Sequence, residues 1–352
     1  MPGPSWGLAA MISTLRPALA GVLLTATVVA CSGDVALPPA EPLAASQESV
    51  AALHGATPGP YKVSRHIDVA LGGTGNQREL AINLYYPQTG DNFPLLLFSH
   101  GNWSDKHSYD RLIEHWVSHG YVVAATDHLD CCGAVSGIFN SLRYGQFGLI
   151  EARVADLGRV LAAIPELESR LTHFRGKADM DRIAATGHSF GAFTAQQLGG
   201  AGTFEPDREA YVFFPEPRIK AVVALSPPGP MFDTITENSW QQLSTPTLVT
   251  TGTWDIQPSF WPDWRMHLMS YETAIPGDKF ALVVEGADHY LGNLICRTGL
   301  EAEPQEDALQ MVHIATTAFL DAYLKNDPQA TELLAGDQLT ATTSGFARLQ
   351  RR

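Results

Sequence analysis

Ser189 stands between two glycines in Gly187-His188-Ser189-Phe190-Gly191, directly after the apolar run from Arg182 and directly before a helix-like stretch. A serine hydroxyl is a weak nucleophile at neutral pH. It attacks a carbonyl only when a base within hydrogen-bond reach takes its proton and a third group holds that base in one tautomer. Glycines flank such a serine where a strand turns too sharply into a helix for side chains to fit. The same residues would also serve as an ordinary helix cap, so nucleophilic chemistry requires a base and an acid in matching positions. His289, in Glu285-Gly286-Ala287-Asp288-His289, is the candidate base, and Asp255, in Thr251-Gly252-Thr253-Trp254-Asp255, the candidate acid; each follows an apolar run of its own.

The tetrahedral intermediate of acyl transfer carries an oxyanion that needs two fixed N–H donors. One donor is expected to be the amide of Phe190, the residue after the nucleophile. The other is expected from the loop Gly101-Asn102-Trp103-Ser104-Asp105, where Gly101 lets the backbone bend toward substrate and Asn102 offers its amide. His100 reads as a structural residue whose ring bonds the loop backbone. Trp103, beside that donor, and Trp254, beside the acid, are the expected substrate contacts, because an aromatic ring on a rim stacks on aryl or apolar groups. Phe260, Trp261 and Trp264 surround the acid together with Trp254, either on that rim or, as large aromatics more often do, packing the acid loop onto the domain. No step of this chemistry calls for a cofactor or a metal ion.

The elements that must position these residues are legible as seven apolar, β-branched runs at 79–87, 94–100, 121–127, 182–188, 220–226, 246–252 and 280–286. Near-continuous runs of this kind are strands buried on both faces. Between them, Ile150, Val154, Leu157, Leu161 and Ile164 recur at helical spacing and draw one apolar stripe. Met311, Ile314, Phe319 and Tyr323 lie in a second apolar-rich helical stretch that closes the domain. The alternation predicts an α/β fold, a mostly parallel central sheet with helices on both faces. Ligands bind such sheets beyond the carboxyl ends of the strands, and Ser189, Asp255 and His289 all fall there. Asp288 adjoins His289, and sequence neighbours rarely face each other. Asp127 and Asp130 follow a strand too far round the sheet. Thr247 lies 22 positions after Leu225, too few for a large helical cap, so the cleft is expected to be open to short acyl esters or to a polymer chain.

The stretches FSHGNWSDKHSYDRLIEHWVSHGYVVAATDH, DMDRIAATGHSFGAFTA and LSPPGP resemble the platelet-activating-factor acetylhydrolase and dienelactone-hydrolase-like branch of the α/β-hydrolases, and the chain order Ser, Asp, His is that of the superfamily. The resemblance runs from Tyr61 to Lys325. It implies the α/β-hydrolase fold and hydrolysis of carboxylic esters, with Ser189 as nucleophile and Asn102 and Phe190 as oxyanion donors. Two departures matter. Acetylhydrolases of the plasma type carry their acid where this chain has Ser226-Pro227-Pro228, which leaves Asp255, and dienelactone hydrolases proper use a cysteine nucleophile. A serine peptidase would share the triad and a non-catalytic envelope lipoprotein would share the scaffold. The retention of all three triad residue types opposes the second, and the want of a propeller-like or cap-like domain to select peptides opposes the first.

At 352 residues and 45% hydrophobic, the chain affords one large domain. Its formal charge of −14, with no basic run, argues against a nucleic-acid partner. Residues 1–30 contain no acid and one base, Arg16, ahead of an apolar stretch too short to span a bilayer, which reads as a secretion signal. Val28-Val29-Ala30-Cys31-Ser32 resembles a bacterial lipobox, so Cys31 is expected to carry a lipid anchor to the membrane surface of the cell envelope. Residues 31–60 read as a flexible tether, 61–335 as the catalytic domain and 336–352 as a loose tail. In an oxidising compartment, Cys131, Cys132 and Cys296 are expected to give one disulfide, Cys132–Cys296, and one leftover thiol.

Overall fold

Short apolar runs with both faces buried favour strands, and all seven form them. The computed structural model describes residues 43–73 and 78–352. Its main sheet is built from β1 (Val63–Leu71), β2 (Leu80–Pro87), β3 (Phe93–Ser99), β4 (Val122–Thr126) and β5 (Ala178–His188). After a separate hairpin of β6 (Gly202–Glu205) and β7 (Ala210–Phe213), it continues with β8 (Ile219–Leu225), β9 (Thr247–Gly252), β10 (Lys279–Val284) and β11 (Ala347–Arg351). The order is β1-β2-β4-β3-β5-β8-β9-β10-β11. From β4 to β10 every pairing is parallel, and antiparallel pairs flank that core on both sides.

The helices are α1 (Gln47–Ala51), α2 (Asp110–Ser118), α3 (Ala134–Arg170), α4 (Phe190–Leu198), α5 (Met269–Thr273), α6 (Glu306–Leu324), α7 (Pro328–Ala335) and α8 (Gln338–Thr342). Successive strand side chains point to opposite faces, and β3 divides accordingly. Leu96 and Phe98 join Trp116 of α2 and Phe319 of α6 on one side. Leu95 and Leu97 join Leu157 and Leu161 of α3 on the other. Each such side chain fully withdrawn from water contributes about 1.5–3 kcal/mol. All five residues of the α3 stripe are buried, and a left-handed Gly145, φ 68°, kinks the helix ahead of it.

Two expectations are corrected. The tether does not run unstructured to residue 60: Ser46 caps α1 by accepting from the Ser49 amide, and Val50 and Leu53 are buried in the α2/α6 core. Nor is the C-terminus loose, since β11 pairs with β10 from Phe280–Arg351 to Val284–Ala347. The polar composition of that stretch hides a strand with a single buried side, on which Ala347 and Leu349 pack into the core. Between β8 and β9 there is no helix, in keeping with an uncapped cleft. The proposed leader and Cys31 lie outside the described residues. Among the described residues no helix is long and apolar enough to cross a membrane.

Candidate active site

The turn from β5 into α4 carries Ser189 at φ 54° and ψ −124°, a conformation that costs a non-glycine residue on the order of 1–3 kcal/mol and persists only where its surroundings impose it. Those surroundings are visible. The Ser189 amide donates to the Leu225 carbonyl at 2.8 Å. A Cβ on Gly187 would strike the carbonyl of Gly191, and one on Gly191 would strike that of Ser99. Close backbone approach therefore demands both glycines.

Three strand ends bring the nucleophile, base and acid positions together. His289 Nε2 lies 2.9 Å from Ser189 Oγ, and His289 Nδ1 lies 2.7 Å from Asp255 Oδ1. Because the carboxylate can only accept, Nδ1 carries the proton and Nε2 presents its lone pair to the hydroxyl. Thr251 Oγ1 donates to Asp255 Oδ2 at 3.0 Å, so both carboxylate oxygens are engaged. Burial alone would raise the pKa of Asp255, but the two imidazoles beside it hold it well below the usual carboxylate range.

The second imidazole is His267, which the sequence reading did not single out. Its Nδ1 donates to the Pro227 carbonyl at 2.7 Å. Its Nε2 stands 3.0 Å from Asp255 Oδ1, in ion-pair range though outside hydrogen-bond alignment. A neutral ring would set a bare nitrogen against either a carbonyl or a carboxylate oxygen, so protonation of both nitrogens suits the site. Burial opposes that charge, yet the Asp255 carboxylate outweighs it and raises the pKa. Trp261 is also more than loop packing, since its ring stacks at 5.8 Å on His289. Asp255, His267 and His289 bring ligand-type atoms within 4.8 Å of one another, and each is also bonded within the chain, to Thr251, Pro227 and Ser189 respectively.

The rival acids are occupied elsewhere. Asp127 pairs with Lys106 and Asp130 with Arg153, while Asp288 accepts from the Tyr290 and Gly292 amides. Asn102 lies in the loop after β3 and Phe190 opens α4 directly after Ser189, and among the described residues neither amide has an intrachain hydrogen-bond partner. His100 holds the loop: Nδ1 donates to the Gly101 carbonyl at 2.7 Å and Nε2 accepts from the His128 amide at 3.1 Å. Below it, the Gly101 amide donates to Tyr109 Oη at 2.8 Å, Tyr109 contacts His188 Nδ1 at 3.1 Å, and His188 Nε2 donates to the His289 carbonyl at 2.8 Å. That chain of bonds ties the loop after β3 to the loop that carries His289. Trp103 is half-buried, its ring lying against Gly137 of α3, and Trp254 is half-buried beside Asp255.

The cysteine pairing differs from expectation. Cys131 and Cys132 are joined to each other, and Cys296 is free. The turn after β4, with Cys132 at φ 71°, lets neighbours bond without closing a loop. The Cys296 thiol instead turns inward against Tyr109 and Ser104.

A family profile described as chlorophyllase matches residues 57–202. The cutinase Est2 of Thermobifida alba is 23% identical over 288 residues, which is 81% of this chain and 77% of that one. The cutinase Est1 of the same organism is 23% identical over 289 residues, 81% of this chain and 78% of its own. The platelet-activating factor acetylhydrolase of Cavia porcellus is 23% identical over 297 residues, 71% of this chain and 62% of its own length. The matched profile is that of an α/β-hydrolase family, and together with the parallel sheet and flanking helices described above it supports assignment of this chain to the α/β-hydrolase superfamily.

Proposed function

We propose that this chain hydrolyses carboxylic esters through an acyl-enzyme on Ser189, with His289 as general base and acid and Asp255 as its orienting carboxylate. The observation that carries this reading is the continuous chain from Ser189 Oγ through both His289 nitrogens to Asp255, at 2.9 and 2.7 Å. In acylation, Ser189 Oγ bonds to the carbonyl carbon while its proton passes to His289 Nε2. The oxyanion accepts from the Asn102 and Phe190 amides, and a well-aimed donor of this kind is worth about 3–4 kcal/mol. His289 then returns the proton to the departing alcohol. Water attacks the acyl-enzyme by the reverse sequence and frees the acid.

The want of a helical cap between β8 and β9 favours short-acyl esters or esters displayed on a polymer over a deeply buried lipid tail. The cutinase and acetylhydrolase relatives support ester over peptide substrates. A panel of p-nitrophenyl esters of rising acyl length, a polyester film and peptide anilides tests this: ester turnover without anilide turnover is expected, and the reverse overturns it. Trp103→Ala is expected to raise KM for aryl esters with kcat kept; an unchanged KM across the series removes Trp103 as a substrate contact. Export with lipidation at Cys31 fits an enzyme working at the cell envelope. Incorporation of a labelled fatty acid that disappears in Cys31→Ser is the expected result, and equal labelling of the variant contradicts it.

A further inference from the structure

Beneath the oxyanion loop lies an ion pair with both partners fully buried, Arg153 of α3 and Asp130 of the loop after β4. Arg153 Nε and Nη2 donate to the two Asp130 oxygens at 2.9 and 2.7 Å. Its remaining N–H groups are spent on the loop that carries Asn102. Nη1 donates to the His100 carbonyl at 2.7 Å and to Ser99 Oγ at 3.3 Å, and Nη2 donates to the Gly101 carbonyl at 3.3 Å. The face of the same guanidinium lies 4.8 Å from the ring centroid of Phe190, the other expected donor residue.

Peptide planarity turns these contacts into an orientation. The Gly101 carbonyl and the Asn102 N–H belong to one rigid trans unit and point in opposite directions. Drawing that carbonyl down, with Arg153 Nη2 and His100 Nδ1 as donors, fixes the Asn102 N–H facing up and away from the core. A buried ion pair is a poor source of stability, because desolvation of both charges offsets their attraction, and apolar residues of similar volume often serve as well. A lysine could neutralise Asp130 equally but has no planar fork to reach both carbonyls.

We propose that Arg153, held by Asp130, is a positioning residue that pins the Gly101–Asn102 peptide so that its N–H faces the developing oxyanion. This rests on the esterase reading above. Arg153→Lys in the full chain is the first test, read by kcat and KM on a p-nitrophenyl ester and by the affinity of an aryl trifluoromethyl ketone, whose adduct with a serine places an oxyanion in the hole. Removing an oxyanion donor costs about 100- to 1,000-fold in kcat, so a misdirected one is expected to cost about 100-fold. KM should stay within about twofold, and ketone affinity should fall by the same factor as kcat. Should Arg153→Lys not fold, Asp130→Asn, which loosens the clamp and keeps the guanidinium, is expected to show the same pattern at about tenfold. A folded variant with unchanged kcat and ketone affinity, or one whose loss lies in KM alone, overturns the positioning role. Wild-type protein that neither turns over esters nor binds the ketone overturns the esterase reading instead.

Discussion

Ser189→Ala is expected to lower kcat for ester hydrolysis by on the order of a millionfold, as loss of the nucleophile does in subtilisin, while substrate still binds. The size follows from chemistry. Without Oγ no acyl-enzyme forms, and His289, which lies 2.9 Å from that oxygen, has no hydroxyl to activate. The residues act as a unit, so His289→Ala added to Ser189→Ala should cost little more than the serine change alone. The remaining rate would come from the oxyanion donors and substrate binding. Single-turnover kinetics measure both values, and a double variant that is additive over the two single ones contradicts a shared proton path.

Acid is expected to have the next largest effect, on stability. Burial pushes His100 and His188 down to about 3 and His115 down to about 4, and it depresses His128 and His313 in the same sense. A base whose folded pKa lies below its unfolded value of 6.5 binds fewer protons in the folded state. Its contribution is therefore present above pH 6.5 and is lost as the pH falls toward the folded value. At pH 5 each of the first three costs about 2 kcal/mol relative to pH 7, against a total stability of about 5–15 kcal/mol for a typical domain. His267 and His54, raised by Asp255 and Asp321, act oppositely: their stabilisation is full below pH 6.5 and fades as pH rises through their elevated values. Asp156, raised to about 6 by burial, also gains on acidification. The five depressed imidazoles outweigh these three. Urea midpoints should fall steeply from pH 7 to pH 5, and a midpoint that holds constant across that range contradicts neutral burial.

The sheet and the three converging positions were readable because both rest on simple periodicities. A parallel strand buried on both faces writes itself as an unbroken apolar run, and the fold places chemistry just beyond its carboxyl end. Arg153 was also open to discovery. It sits three residues after Ile150 and four before Leu157, on the buried stripe of α3, where a charge has to be paired. His267 offered no such signal, because it lies in a 3₁₀ turn, Trp264–Leu268, and meets Asp255 only through tertiary packing. β11 leaves no clear mark in the sequence, because an edge strand buries only one side and its exposed positions are polar. The Cys131–Cys132 bond is not legible in the sequence, because the turn that brings neighbours together is a backbone feature that residue spacing does not encode. The burial of α1 rests on so few apolar residues, Val50 and Leu53 among them, that composition alone read it as linker.

Reaction of the intact protein with a fluorophosphonate, followed by peptide mapping by mass spectrometry, tests the central claim most directly. The expected result is one phosphonyl adduct, on the peptide that contains Ser189, absent from Ser189→Ala and slowed by orders of magnitude in His289→Ala. Wild-type protein that hydrolyses esters yet carries its adduct elsewhere, or a Ser189→Ala variant that still turns over, would contradict the account.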